Sequence, residues 1–217
     1  SDLMLKMKRV INLDNWNRKE HFKFFSALDD PFWGITMTVD FTSIYQQSKN
    51  MEVSFFLYSV HFLLKCINAT TAFKLRIENG EVVEYDKINI SPTIGREDGT
   101  FGFGFFEYDT DLSLFIENAE KEIHRVKNST GLSFSKDTAR ADVIRYSALP
   151  WFAFSEMKHA GSIQTGDSIP KISIGKLIQE KKKLLLPISI SVHHGLVDGR
   201  NVAEFIQNVK DGQNNTL

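Results

Sequence analysis

An α/β fold with a mixed sheet is what this sequence predicts, on three observations. Stretches with the two-residue hydrophobic period of strands and stretches with the longer period of helices follow one another irregularly, which suits a sheet with packed helices. The chain has 217 residues, 42% of them hydrophobic and 18 of them Phe. A chain of that length buries roughly 70% of the surface its unfolded form exposes. No linker, repeat or low-complexity tract divides it, so residues 1–217 are expected to form a single domain.

Taken in order, Ser1 to Asn17 holds few periodic signals, and Ser1-Asp2 in place of Met hints at a trimmed start. Arg18 to Leu28 predicts a short helix with Phe22, Phe25 and Leu28 on one side. Asp29-Asp30-Pro31 is a turn. Phe32 to Phe41 follows as a strand with Ile35, Met37 and Val39 on one face. Val53 to Ile67 is apolar nearly all round, the pattern of a helix buried on several sides, and makes His61 a core histidine. Strands at 73–77 and 82–85 flank Asn79-Gly80, a strong hairpin pair. Ile88 to Thr93 is a further strand.

Glycine and phenylalanine alternate from Thr100 to Phe106 without the third Gly and helix start of a dinucleotide site. Gly in a strand marks a bulge or a close approach to the backbone, so this segment is expected to be a strand whose aromatics pack inward or line a pocket. Asp111 to Val126 is a helix with Leu112, Leu114, Phe115, Ala119, Ile123 and Val126 inward, and Glu117, Glu120, Lys121, His124 and Arg125 solvated. Residues 128–141 form a polar loop broken by Phe134. A strand at 143–146 runs into Ser147-Ala148-Leu149-Pro150-Trp151. Strands at 171–178 and 184–192 pair around the lysine-bearing tip Gln179 to Lys183, and the tail after Lys210 is expected to fray.

The stretch from Pro187 to Gly199 carries the chemistry. Ile188, Ile190 and Val192 alternate with Ser189, Ser191 and His193, then Gly195 stops the strand. Val202, Phe205, Ile206 and Val209 resume at helical spacing, with Asn201 and Glu204 as the expected helix start. Neighbours on a strand point apart, so His193 and His194 are not expected to share a metal ion. His194, on the face of Ile190 and Val192, would sit among apolar groups that disfavour its charged form. A neutral imidazole suits a general base, and a core histidine without chemistry is the plainer reading of the same pattern.

Net charge is −1, which gives no global field for nucleic acid. The single cysteine, Cys66, allows no intramolecular disulfide, and with no signal-peptide pattern this fits a reducing compartment. No apolar run approaches a membrane span. A soluble cytoplasmic protein is expected.

His193-His194-Gly195-Leu196-Val197-Asp198-Gly199 resembles the HHxxxDG motif of coenzyme A-dependent acyltransferases. Asn17-Arg18-Lys19-Glu20-His21-Phe22, Ser147-Ala148-Leu149-Pro150-Trp151 and Ser173-Ile174-Gly175-Lys176 narrow the resemblance to the chloramphenicol acetyltransferases, in that family's order and over nearly the whole chain. The resemblance implies a two-layer sandwich of a large mixed β-sheet and packed helices. It further implies a homotrimer with active sites at subunit interfaces, acetyl-coenzyme A as co-substrate, and no permanently bound cofactor, metal or acyl-enzyme. By position, His194 is the general base and Ser147 the oxyanion donor. Ser173 stands for a hydroxyl that orients a water, and Asp198 with Arg18 for a buried supporting ion pair. Lys176 stands near the coenzyme's phosphates. Leu177 replaces a frequent Tyr that packs on adenine.

The acceptor pocket departs from the family. Phe25 stands where a tyrosine often supplies a hydroxyl. Trp33, Phe103 and Phe134 are aromatic candidates, and Met157, Lys158 and His159 enter an otherwise apolar, Phe-containing stretch. The expected activity is acetyl transfer to a hydroxyl of chloramphenicol or a related small acceptor. The alternatives are a different acceptor or a non-catalytic trimer binding a small molecule. A lipoyl-type acyltransferase core would be expected beside a swinging-arm carrier domain, and the sequence has none.

Overall fold

The computed structural model describes residues 7–163 and 165–214. Its strands are β1 (Lys8–Val10), β2 (Phe32–Asp40), β3 (Leu75–Glu78), β4 (Glu81–Tyr85), β5 (Asn89–Gly95), β6 (Phe101–Phe103), β7 (Val143–Ala148), β8 (Lys171–Ile174), β9 (Ile178–Glu180) and β10 (Lys183–His193). Its helices are α1 (Lys19–Ser26), α2 (Thr42–Asn50), α3 (Phe55–Asn68), α4 (Leu112–Lys127) and α5 (Gly199–Asn214). The main sheet runs β2-β10-β8-β7-β5-β6, with β9 also on β10, and a small sheet runs β1-β4-β3. Within the main sheet β5–β7 and β7–β8 are parallel and the other pairs antiparallel, so the sheet is mixed as expected.

β10 is the spine because it is long and β-branched on its inner side. Ile188, Ile190 and Val192 are fully buried, and β10 pairs with both β2 and β8. α3 packs against α2, α4 and α5, which explains its apolar residues all round. His61 lies on it, half-buried, with Nε2 2.8 Å from the Asp109 carbonyl, and burial lowers its pKa. Asn79 and Gly80 both take positive φ (52° and 78°), the backbone that a two-residue hairpin turn needs. Gly102 and Gly104 lie where a Cβ would come within 2.7 Å of Arg96 and 2.6 Å of Ile94 respectively, the close approach their alternation suggested.

Several sequence expectations are corrected. α2 and β1 lie in stretches that carry no clear period. α5 starts at Gly199, two residues before Asn201. Asp198 and Asn201 exchange side-chain to backbone hydrogen bonds across its first turn, so Asp198 is the cap. Residues 211–214 are helical rather than frayed. Gln213 is buried there, donating to the Asp40 carbonyl and accepting from Ser43 Oγ. The rest of the tail, 215–217, lies outside the described residues, as do residues 1–6 at the start. The 171–178 strand breaks at Gly175, which passes under Phe152 so closely that a Cβ would lie 2.6 Å from its carbonyl oxygen. Leu28, Ile35 and Leu114 are exposed rather than inward. Leu28 follows the end of α1, and Ile35 sits on the terminal strand of the sheet, where little packs over it.

Arg76 is buried completely, yet among the described residues no carboxylate bonds it. Its guanidinium donates to the carbonyls of Phe73, Leu75, Ala141 and Val143 at 2.7–2.8 Å, closing the small sheet onto the start of β7. Burial lowers its pKa to about 10, so it stays charged at neutral pH. Arg76→Met is expected to strand those carbonyls and cost about 3–5 kcal/mol. Urea unfolding should show a lower midpoint with an unchanged slope; an unchanged midpoint would refute the role.

Candidate active site

The turn after β10 holds His194 from four directions. Its backbone N–H donates to the Pro31 carbonyl at 2.9 Å, continuing the β2–β10 ladder one residue past the strand. Its own carbonyl accepts from Arg18 Nη2 at 3.2 Å. Phe25 of α1 lies parallel to its ring, with centroids 3.8 Å apart, and Trp33 of β2 is tilted at 5.6 Å. Trp33 is fixed in turn by its Nε1 hydrogen bond to the Val197 carbonyl. The imidazole is half-buried. Its Nδ1 is enclosed without a partner, which leaves Nε2 as the nitrogen open to a substrate.

Arg18 and Asp198 brace this turn. Nη1 of Arg18 meets Oδ2 of Asp198 at 2.6 Å, while Oδ1 of Asp198 caps α5 through the Asn201 amide. The pair is part-exposed, with 18% and 36% of the two side chains accessible, rather than buried as the family resemblance implied. Burial works to raise the Asp198 carboxyl. The Arg18 hydrogen bond and charge, with the amides of Asn201 and Arg200, outweigh it and hold the group below its ordinary value. Gly195 lets the chain turn tightly: a Cβ there would lie 2.9 Å from the His193 ring and 3.1 Å from Ser26 Oγ.

His193 points away from His194's neighbours and is 96% buried by its 4% exposure. Its Nδ1 accepts the Gly195 N–H at 3.0 Å. Burial is the largest cause of a pKa lowered to about 4; Asp167 opposes that shift and His194 adds to it.

Ser147 lies in a cleft of about 460 Å³, on the other face of the sheet from the core. Directly opposite residues on paired strands share a face. The registers Ser147↔Ser173, Ser173↔Ser189 and Ser189↔Thr36 therefore lay four hydroxyls in a row across β7, β8, β10 and β2. Ser147 Oγ and Ser173 Oγ are 2.6 Å apart, and Thr36 Oγ1 donates to Ser189 Oγ at 3.1 Å. The 155–163 segment covers the row. Ser189 bonds the Met157 carbonyl at 3.4 Å, and His159 Nε2 sits 2.9 Å from Ser173 Oγ. Phe103, Met157 and His159 all line this cleft, and Phe134 stacks on Phe103 from outside at 5.7 Å, 72% exposed.

The residues singled out in the sequence thus fall into two groups. Arg18, Phe25, Trp33, His194 and Asp198 assemble at the end of β10. Ser147, Ser173, Phe103, Met157 and His159 assemble over the sheet face. His194 is five residues beyond Ser189, about 16 Å along an extended strand, and is not among the walls of the Ser147 cleft. Lys158 lines a neighbouring cavity with Trp33 and Ile35. Lys176 is exposed, and Leu177 packs on the core, so that side chain is occupied within the fold. Sequence reading passed over Arg145, Asp167 and Lys171, which also line the Ser147 cleft. It passed over the hydroxyl row too, although the polar positions in Ile172-Ser173-Ile174 and Ile188-Ser189-Ile190 carried its signal.

A family model described as chloramphenicol acetyltransferase matches residues 7–210. Chloramphenicol acetyltransferase 3 of Escherichia coli is 27% identical over 207 residues, covering 95% of this chain and 97% of that protein. The chloramphenicol acetyltransferase of Clostridioides difficile is 28% identical over 205 residues, 93% of each. A solved chloramphenicol acetyltransferase superposes with a TM-score of 0.87 at 29% identity, covering 95% of this chain and 99% of that one. A probable dihydrolipoamide acetyltransferase of Listeria monocytogenes shares the fold at a TM-score of 0.67, with 13% identity over 95% of this chain and 93% of that one. Fold and likeness together define an acetyltransferase. The chain belongs to the chloramphenicol acetyltransferase family.

The buried His193 makes a test of this turn. Its folded-state pKa of about 4 lies below the ordinary histidine value. Between the two the unfolded chain takes up the proton first, so stability present above about pH 6.5 is lost as pH falls towards 4. That loss is about 3 kcal/mol at most. His193→Asn, which keeps an acceptor for the Gly195 amide and cannot titrate, is expected to flatten this limb in unfolding measured from pH 8 to 4. An equally steep limb in the variant would contradict it.

Proposed function

We propose that this chain is a single-domain, cytoplasmic homotrimeric enzyme that moves acetyl from acetyl-coenzyme A to a hydroxyl of chloramphenicol or a related small acceptor. The observation that carries the reading is His194, braced from four directions with one ring nitrogen open, in a chain of this family. Its Nε2 removes the acceptor's hydroxyl proton as that oxygen attacks the thioester carbonyl. The carbonyl oxygen becomes an oxyanion, to which Ser147 donates a hydrogen bond. Collapse of the tetrahedral intermediate breaks the C–S bond, and the imidazolium returns its proton to the departing sulfur. Arg18 and Asp198 hold the turn and take no proton, and Lys176 approaches the coenzyme's phosphates.

The separation of His194 from Ser147 supports sites completed between subunits, with His194 from one copy facing the Ser147 cleft of the next. The relative solved as the cubic core of the pyruvate dehydrogenase complex shares the fold and is an assembly, at 17% identity and a TM-score of 0.56. No helix among the described residues is long and apolar enough to cross a membrane. A different acceptor is the second reading. His159 and the Lys171–Asp167 pair, 3.1 Å apart, make one wall of the cleft polar and favour a ligand with matching groups.

Thiol release from acetyl-coenzyme A with chloramphenicol tests the reading. His194→Ala is expected to lower kcat by ~10²–10⁴-fold. Ser147→Ala is expected to raise the barrier by ~2.7–4 kcal/mol. An equal mixture of the two variants, unfolded and reassembled together, should regain about a quarter of wild-type activity, because one interface in four then pairs an intact His194 with an intact Ser147. No recovery would exclude shared sites. No turnover of chloramphenicol, with turnover of another alcohol, would exclude the first acceptor.

A further inference from the structure

Ser173 is fully buried and its hydroxyl touches two groups, Ser147 Oγ at 2.6 Å and His159 Nε2 at 2.9 Å. Among the described residues it has no third hydrogen-bond partner. A hydroxyl has one proton and two lone pairs, so Ser173 could accept in both bonds, but its own proton would then be buried without an acceptor; fully satisfied, it donates in one and accepts in the other. Two arrangements satisfy this. In the first, His159 donates through Nε2–H to Ser173, Ser173 donates to Ser147, and the Ser147 proton is free to point into the cleft. In the second, Ser147 spends its proton on Ser173 and Ser173 donates to an unprotonated Nε2. The tautomer of His159 therefore decides whether Ser147 has a hydrogen to offer.

We propose that His159 is a positioning residue that sets the direction of this hydroxyl chain, donating through Nε2–H so that Ser147 presents its O–H to the reacting oxygen. The proposal rests on the oxyanion role given to Ser147 above. It deepens that role by placing its control two hydrogen bonds away, on a residue of the covering segment. An oxyanion forming at Ser147 favours the same direction, because each O–H and N–H dipole of the chain then points its positive end toward the charge. The neutral state of the ring is what makes the tautomer matter, since an imidazolium can only donate. Burial first, and the Lys171 charge second, lower the His159 pKa and keep it neutral. The other charged groups on the same cleft are Asp167, bonded to Lys171, and Arg145, whose residue is exposed at the rim.

Nitrogen NMR of the intact protein labelled in its histidine rings reads the tautomer directly, with His159→Gln identifying the resonances. Above pH 7 the proposal expects the proton on Nε2, and a proton on Nδ1 overturns it. Kinetics give an independent reading. Ionised glutamate only accepts, so His159→Glu should reverse the chain and lower kcat for acetyl transfer about 10²-fold, as Ser147→Ala does, with KM for the acceptor changing by less than about threefold. His159→Gln, whose amide can donate, should stay within about fivefold of wild type. In a Ser173→Ala background the chain is cut, and His159→Glu should cost nothing further. An equal cost in both backgrounds would mean that residue 159 acts on the acceptor itself, and the proposal fails while Ser147 keeps its role. If Ser147→Ala leaves kcat intact, the oxyanion assignment fails and takes this proposal with it.

Discussion

Arg18 reaches from the cap position just before α1 to the turn after β10 and holds both the Asp198 carboxylate and the His194 carbonyl. That fork joins residues 180 positions apart in the chain. It fixes the start of α5 through Asp198, the path of the turn through His194, and the seat of α1, which carries the Phe25 ring stacked on the imidazole. A planar guanidinium suits this task because its donors leave in fixed directions from one rigid group, which an ammonium cannot reproduce. The geometry of the histidine is thus set by backbone and packing, with its open nitrogen the part left uncommitted.

The main sheet supports two different sites because its faces differ. Ile188, Ile190 and Val192 commit one side of β10 to the helices. The alternate positions carry hydroxyls in register with those of β2, β8 and β7. A row of short hydroxyl side chains leaves room for a covering loop and supplies donors and acceptors under it. The histidine stands off the end of the same strand. A long strand buried on one side and polar on the other therefore places an imidazole at its tip and a row of hydroxyls along its length, rigidly spaced.

Much of this was legible in order of how local its cause is. The Asn79-Gly80 hairpin, the all-apolar α3 and the alternation in β10 are each explained by neighbouring residues, and each stands as read. α2 was not legible, since only Ile44 and Ser48 of its nine residues are buried and no stripe results. The end of α5 was misread because the partners that hold Gln213, Asp40 and Ser43, are distant in sequence. The site divides in the same way. His194, Ser147, Asp198 and Arg18 stood out as motif residues. The bond between His159 and Ser173 depends on how a loop without regular structure lies over the sheet, and nothing within that loop's own sequence encodes it.

The 155–163 segment has cavities on both of its sides. Met157, His159, Gly161 and Ser162 face the Ser147 cleft and also the neighbouring cavity beside Trp33 and Ile35. It acts as a party wall. Shifting it to admit a bulkier guest on one side takes room from the other, so along this wall the two compartments exchange volume. A change of side chain at Met157 or His159, which line both, is therefore felt in both rooms.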